Sequence, residues 1–431
     1  MRVDDITSRR MENPQAQPWY RRLHWQILIA MAAGTVAGLI GGTAIVPKVG
    51  WLGTLFIRLL KMIIVPLILT SIISGVAAVG GGRNLGRLFG KTLGYYVLSS
   101  ALAAFAGLVM VNMIGPGVGS TIAGSDQATV PEVSTPSSPI ELLLDIVPEN
   151  VVGAAGESDM LAVIFFSILL GMSIAALPEK PRVTLVTFFE SGFQAMMKLT
   201  TGVIRFAPIG VFGLITRVVG TSGLESFRAL GLYMMTIALG LTFHLFVTLP
   251  VLLLLLGRIR PRTHFRNMAE PMAMAFSTSS SGATLPVTLN AVENKVGVSN
   301  RISSFVLPMG ATVNMDGTAL YECAGVLFIA QVLGVDLSIG QQLLVVLTAL
   351  LASIGAAAVP SAGLVIIFIV LEAVNLRGPE VEAIVGAMLA VDRPLDMYRT
   401  VVNVFSDSCG AAIIARSEGE ENIDREPVTE S

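Results

Sequence analysis

Eight stretches of this sequence, near 25–45, 51–79, 92–115, 158–178, 197–221, 229–257, 300–334 and 380–415, run apolar for roughly the length of a membrane-spanning helix. A backbone surrounded by lipid must satisfy its own hydrogen bonds, so runs of this length predict helices. The charge content agrees. Only 13% of the residues are Asp, Glu, Lys or Arg, about half the usual share in a water-soluble chain. The basic loops set the orientation. Arg83, Arg87 and Lys91 follow the second run, Lys180 and Arg182 the fourth, and Arg258, Arg260, Arg262 and Arg266 the sixth. The segment from Pro116 to Met160 has neither Lys nor Arg. A cytoplasmic N-terminus puts every basic cluster inside and that long loop outside. Residues 1–24 are polar, carry five arginines and lack the apolar core of a cleavable signal, so they read as a cytoplasmic tail. Residues 417–431 are acidic and aperiodic, and are expected to be a disordered cytoplasmic tail.

Two further segments are apolar but interrupted. One, about 266–296, contains Ser277-Thr278-Ser279-Ser280-Ser281-Gly282-Ala283-Thr284-Leu285-Pro286. The other, about 339–374, contains Ser353-Ile354-Gly355-Ala356-Ala357-Ala358-Val359-Pro360. Such breaks must face protein or water. Matched interruptions in two halves, here 266–334 and 339–415, point to a transport site between inverted repeats. Close helix packing through small residues would explain one break but accounts poorly for a matched pair.

The last run carries Asp392, Arg393, Asp396, Arg399, Asn403 and Asp407. At a helical period, positions 392, 396, 399, 403 and 407 fall within an arc of about 80°. Charges at membrane depth are functional more often than structural. A guanidinium suits a carboxylate and an aspartate suits an ammonium, so this face fits a zwitterion with an extra acid group. An ion-pair ladder between helices is the plain alternative. The seventh run is broken by Asn314-Met315-Asp316-Gly317-Thr318, whose oxygens and freed carbonyls could cage a small cation. His244 stands alone in an apolar run and reads as packed or hydrogen-bonded rather than as a ligand. The three histidines do not cluster, Cys323 and Cys409 suggest no disulfide framework, and no phosphate-binding loop suggests an ATP-driven pump. A net charge of −2 gives no sign of nucleic-acid binding.

These residues closely resemble the glutamate transporter family of dicarboxylate/amino acid:cation symporters. The likeness rests on Asn314-Met315-Asp316-Gly317-Thr318, the serine-rich and Ser-Ile-Gly-Ala hairpins, and Asp396…Arg399-Thr400…Asn403…Asp407. It implies an all-α multi-pass protein with eight transmembrane helices and two re-entrant helical hairpins, assembled as a homotrimer in the inner membrane. Residues 25–82 and 119–226 would supply the scaffold helices, with the extracellular loop in the latter. Residues 83–118 and 227–416 would form a transport domain that moves as an elevator, gated by the second hairpin. The protein would be no enzyme and need no cofactor beyond sodium as coupling ion. By the same resemblance, Arg399 would hold the substrate's side-chain carboxylate and Asp396 its ammonium. Asn403 and Ser281 would serve the α-carboxylate, and Thr318, Val359, Gly363 and Thr400 would complete the pocket. One sodium would meet Gly310, Asn314, Asn403 and Asp407. A second would meet Thr312, Met315, Ser353, Ile354 and Ala356, largely through carbonyls. A third would meet Tyr96, Ser99, Ser100, Asn314 and Asp316.

The sequence also departs from the family pattern. The extra arginine that relatives carry is absent at Ser279 and Met397, while Arg393 resembles the placement in dicarboxylate carriers. Those carriers lack an aspartate at the position of Asp396 and have an amide at that of Asp407, so an acidic amino acid with sodium is the reading favoured over a C4-dicarboxylate. Ala358 replaces a glycine common at the second hairpin tip. Glu322 matches the glutamate of proton-cotransporting relatives and shares a face with Thr318. The resemblance thus implies proton cotransport there, and raises potassium counter-transport. Arg393 is a candidate partner that would keep Glu322 ionised. An intramembrane protease would need a base beside Ser281, and His244 is the sole candidate in a span.

Overall fold

The computed structural model describes residues 23–77, 83–120, 147–157, 159–223, 225–354 and 362–424, and every regular element in them is a helix. Helix α1, Leu23–Ala77, merges the first two apolar runs. The sequence suggested a connection between 45 and 51; the break instead falls at Gly42, with φ 50° and ψ −143°. Those angles are open to a residue without Cβ, and helical geometry resumes at once on either side.

Helix α2 is Arg83–Ile114 and begins well before the apolar run at 92. The short α3, Val151–Glu157, leads to α4, Met160–Ala175, whose first turn is capped by Asp159 Oδ1 accepting from the Ala162 N–H at 3.2 Å. Helix α5, Glu179–Ile204, turns by 50° into α6, Ala207–Ser222. The expectation of a loop before 197 is corrected here. Lys180, Arg182 and Glu190 lower the apolarity of that stretch without interrupting its helix. Glycine brings α1 and α6 into backbone contact: a Cβ at Gly213 would lie 2.7 Å from Gly53 N, and one at Gly220 2.6 Å from Gly42 O. Small residues at such a seam let two helices approach where lipid gives no hydrophobic drive.

Helix α7, Glu225–Phe243, continues through π turns at His244–Thr248 and Leu253–Gly257 that flank Leu249–Leu252. Pro250 lies between them, and a widened turn accommodates a residue that cannot donate its N–H. Helices α8, Pro261–Thr278, and α9, Ser281–Ala291, pack as a hairpin. The turn places Ser279 at φ 50°, and Ser280 caps α9 by accepting from the Ala283 N–H at 3.2 Å. Helix α10, Asn300–Val313, is separated from α11, Asp316–Val332, by extended Asn314 and Met315. Helices α12, Ile339–Ile354, α13, Ala362–Ala373, and α14, Pro379–Ser417, complete the fold.

Helix α11 is buried from Asp316 to Ala330, packed against α2, α7, α12, α13 and α14. Large apolar side chains face outward instead; Leu255 is 74% exposed and Phe246 56%. Among the described residues three helices are long and apolar enough to cross a membrane, or four if the α5–α6 pair counts as one span. This is a membrane protein, with lipid rather than water as the solvent for that outer face.

Residues 418–424, read from sequence as part of a disordered tail, dock onto the bundle. Glu418 pairs with Arg87 and Lys91, both at 2.6 Å. The hydrogen bond from Lys91 holds that carboxyl below its ordinary range, with Arg87 adding to it. Glu420 accepts from the Ser299 N–H at 3.0 Å and from the Ser299 hydroxyl. Asp424 meets His264 Nδ1 and Asn267 Nδ2, each at 2.6 Å, while its N–H donates to Val296 O at 2.8 Å. The tail thereby ties the start of α2 to the base of the α8–α9 hairpin. A polar segment beside complementary charged and hydrogen-bonding groups is held by them, which its composition alone could not reveal.

Candidate functional site

Arg399 is the largest fully buried side chain among the described residues, 1% exposed in the middle of α14. Its Nη2 donates to Asp392 Oδ1 at 3.1 Å and Asp396 Oδ1 at 3.0 Å. The guanidinium lies over the Tyr321 ring, 3.9 Å from its centroid. Nε and Nη1 have no hydrogen-bond partner among the described residues. A Cβ at Gly363 would stand 2.4 Å from Nη1, so only a glycine of α13 leaves that donor room. Gly317, likewise, allows the backbones of α11 and α14 to meet, since a Cβ there would lie 2.8 Å from Arg399 Cα. The charges from Asp392 to Arg399 do pair with one another, but along one helix rather than between helices, and they leave two cationic donors unspent.

Arg393 Nη1 reaches Asp396 Oδ2 at 3.3 Å. The alternative pairing of Arg393 with Glu322 does not occur. Glu322 is wholly buried, and neither of its carboxyl oxygens has a partner among the described residues. Its place on α11, one turn after Thr318, keeps it beside the buried face from which Tyr321 meets Arg399. Asn403 Oδ1 accepts from the Gly317 N–H at 2.8 Å, tying α14 to the first turn of α11. Thr400 returns its hydroxyl to the Asp396 carbonyl at 2.8 Å. Ser281 and Thr318 are buried.

A second polar cluster lies where α10 gives way to α11. Asp316 is fully buried and accepts from Ser99, from Ser100 at 2.6 Å, and meets His244 Nε2 at 2.9 Å. Asn314 Nδ2 donates to Asp407 Oδ1 at 2.9 Å and to Ser406 Oγ at 3.1 Å, and Ser100 reaches Asn314 Oδ1 at 3.4 Å. Tyr96 donates to the Val306 carbonyl at 2.8 Å. A Cβ at Gly310 would fall 2.5 Å from both Asp407 Oδ1 and the Tyr96 hydroxyl. Two carboxylates with amide and hydroxyl oxygens thus converge where the helix is interrupted. Such a set suits a hard cation, and it lies where the backbone at 314–315 departs from helical geometry.

The structure brings together Tyr96, Ser99, Ser100, Gly310, Asn314, Asp316 and Asp407, and separately Gly363, Asp396 and Arg399. It does not join the side chains of the second sodium set. Thr312 is exposed and returns its hydroxyl to the Met309 carbonyl at 3.0 Å; Ser353 does the same to Leu350 at 2.8 Å. Met315 is buried and Ile354 half-buried. Val359, Ala356 and Ala358 lie outside the described residues. Sequence reasoning missed His244 as a partner of Asp316, and Asp392 as a partner of Arg399. The first left no local signal beyond a lone histidine in an apolar run. The second sat on the polar arc already noted.

A model of the sodium:dicarboxylate symporter family matches residues 23–417. The chain belongs to that family. The proton/sodium-glutamate symport protein of Geobacillus stearothermophilus is 34% identical, the alignment covering 94% of this chain and 96% of the relative. Excitatory amino acid transporter 3 of Mus musculus is 35% identical over 92% and 87% of the two chains. The proton/glutamate-aspartate symporter of Escherichia coli (strain K12) is 34% identical over 92% and 93%. The family is one of symporters rather than enzymes. Nearly the whole chain aligns, so both polar clusters fall inside the family match.

Proposed function

We propose that this protein is a secondary active symporter that couples uptake of acidic amino acids, glutamate and aspartate, to sodium. The observation that carries the reading is the Arg399 guanidinium, buried with Nε and Nη1 unpartnered among the described residues, beside the Asp396 carboxylate. A buried cationic donor without an acceptor is penalised by roughly 1–3 kcal/mol or more, which a substrate carboxylate would relieve. Asp396 supplies the complementary charge for an ammonium. The names of the three relatives, which refer to glutamate or excitatory amino acids, support the substrate class.

Sodium enters as cargo. Asp316 with Ser99, Ser100, Asn314 and Tyr96 forms one proposed cage; Asp407 with Asn314, Asn403 and Gly310 forms another. Thr312, Met315, Ser353, Ile354 and Ala356 would supply the third, through carbonyls. Asn403 and Ser281 would take the α-carboxylate, with Thr318, Val359, Gly363 and Thr400 around it. Asn403 and Asn314 link substrate site to cation sites, so an ion that orders Asn314 also sets the frame on which substrate docks. In the same reading Glu322 carries a proton into the cell with each substrate.

The larger architecture is part of the proposal. It comprises eight spans, two re-entrant hairpins at α8–α9 and α12–α13, a homotrimer and an elevator stroke, and family membership is what supports it. Residues 25–82 and 119–226 would be the scaffold, 83–118 and 227–416 the moving part, in the cell's inner membrane with both termini cytoplasmic. One observation favours a second reading, a C4-dicarboxylate carrier: Arg393 already occupies Asp396 Oδ2, leaving less need for an ammonium. Uptake of labelled aspartate, glutamate and succinate into proteoliposomes under separate sodium and proton gradients tests both. Sodium-driven aspartate uptake that succinate barely inhibits supports the first reading, and equal competition by succinate supports the second.

A further inference from the structure

We propose that Arg393 is a built-in counter-charge for Asp396, taking that carboxylate when substrate is absent and yielding it to the substrate's ammonium. The inference rests on the reading that Asp396 receives an ammonium. Its starting point is how the two oxygens of Asp396 are divided. Oδ1 goes to Arg399 at 3.0 Å, and Oδ2 to Arg393 at 3.3 Å. The two arginines are held very differently. Arg399 is buried, stacked on Tyr321 and shared with Asp392, so it cannot leave without stranding charge. Arg393 has a side chain 22% exposed and makes a longer single contact, so it has less to give up on leaving.

The charge balance points the same way. Asp392, Asp396, Arg393 and Arg399 cancel in the empty site. An arriving ammonium on Asp396 makes Arg393 redundant there. The guanidinium already lies close to a second acid. Arg393 and Asp392 together border a small cavity of about 20 Å³ against Phe56 and Leu60 of α1 and Ala207 of α6. A side chain released from Asp396 thus stays beside a second carboxylate instead of entering lipid. Residue 393 precedes Asp396 by three on one helix face and shares the cavity wall with Asp392, so a swing of its long stem exchanges the two acids without moving the helix.

The consequence for transport is specific. A carrier that returns empty with Asp396 bare would take an uncompensated carboxylate through its stroke, which is strongly disfavoured. Arg393 removes that penalty. It also competes with amino-acid substrates and assists substrates that have no ammonium.

The test uses purified full-length protein in proteoliposomes, as wild type, Arg393→Ala and Arg393→Lys. Loss of Arg393 should lower the half-saturating aspartate concentration in exchange by about threefold to tenfold and weaken inhibition by succinate by about tenfold, a change of roughly 1.4 kcal/mol. Net uptake should fall several-fold while exchange persists, and the lysine variant should restore net uptake. If Arg393→Ala is not recovered folded, Arg393→Gln is read by the same measures, with exchange activity as the check on folding. A variant in which aspartate and succinate weaken together, or in which net uptake and exchange change equally, overturns the proposal. Wild-type protein that transports no acidic amino acid would instead remove the underlying reading of Asp396.

Discussion

His244 Nε2 lies 2.9 Å from Oδ2 of Asp316, with both side chains wholly buried. The contact joins the π turn of α7 to the first residue of α11, 72 positions away, and completes a set of three donors on one carboxylate. Removing one donor from a buried charged acceptor costs about 1–3 kcal/mol. His244→Ala should therefore lower thermal stability by that order and weaken the protection that sodium gives against unfolding. Melting curves in detergent, with and without sodium, check both effects. Equal protection in variant and wild type would separate His244 from the cation cluster.

Arg399→Cys should abolish binding of aspartate and glutamate, a loss of at least a hundredfold if a bidentate charged contact is removed. It also leaves Asp392 and Asp396 without their shared donor, so the variant should favour neutral or cationic amino acids. Binding titrations across a substrate panel would show this. Unchanged aspartate affinity would place Arg399 outside the substrate contact.

Asp407→Asn should raise the sodium concentration needed for half-maximal uptake by roughly tenfold or more, because the cage loses a full charge that offsets the ion's dehydration. The amide keeps the volume, and Asn314 can reorient its own amide to meet it. Uptake measured across a sodium series gives the value. Transport that ignores sodium in the wild type would rule the assignment out.

Neither carboxyl oxygen of Glu322 has a hydrogen-bond partner among the described residues, so a proton is the simplest group to neutralise it. If the loaded carrier requires that proton, raising pH removes it and weakens substrate binding. Half-saturating aspartate should thus increase toward alkaline pH in wild type and stay level in Glu322→Gln. Uptake that moves no protons under a fixed sodium gradient, with no such pH profile, would make Glu322 a structural residue.

Glu418 is held below its ordinary carboxyl range by Lys91 and Arg87. A carboxyl depressed in the folded state stabilises above its unfolded pKa and loses that contribution as pH falls through the folded one. Docking of residues 418–424 should therefore persist at neutral pH and loosen only in acid below the usual carboxylate range. Proteolysis of the tail followed against pH tests this. Glu418→Gln should show loosened docking already at neutral pH.

Much of the site was legible because its signals are local. The polar arc from Asp392 to Asp407 follows from helical spacing alone, and the break at Asn314 and Met315 from residues that resist helix formation. The turn at Ser279 and Ser280 was equally visible as a serine run between apolar arms. What stayed hidden depends on contacts between distant positions. His264 and Asp424 are 160 residues apart, and nothing near either announces the other. The helix from Glu179 to Ile204 was missed for a different reason. Apolarity was used as the sign of a helix, and its first half is charged. The partner of Arg393 could not be chosen from sequence, since Glu322 and Asp396 are both acids within plausible reach of the same polar face.

The docked chain end has a practical meaning for anyone labelling this protein. Glu418, Glu420 and Asp424 are attachment points on α2, on Ser299 and on His264, so a fluorescent reporter spliced at residue 417 would prise the hairpin base from α2. Joined after Asp424, the same reporter would leave all three contacts intact and make a more faithful probe of the working carrier.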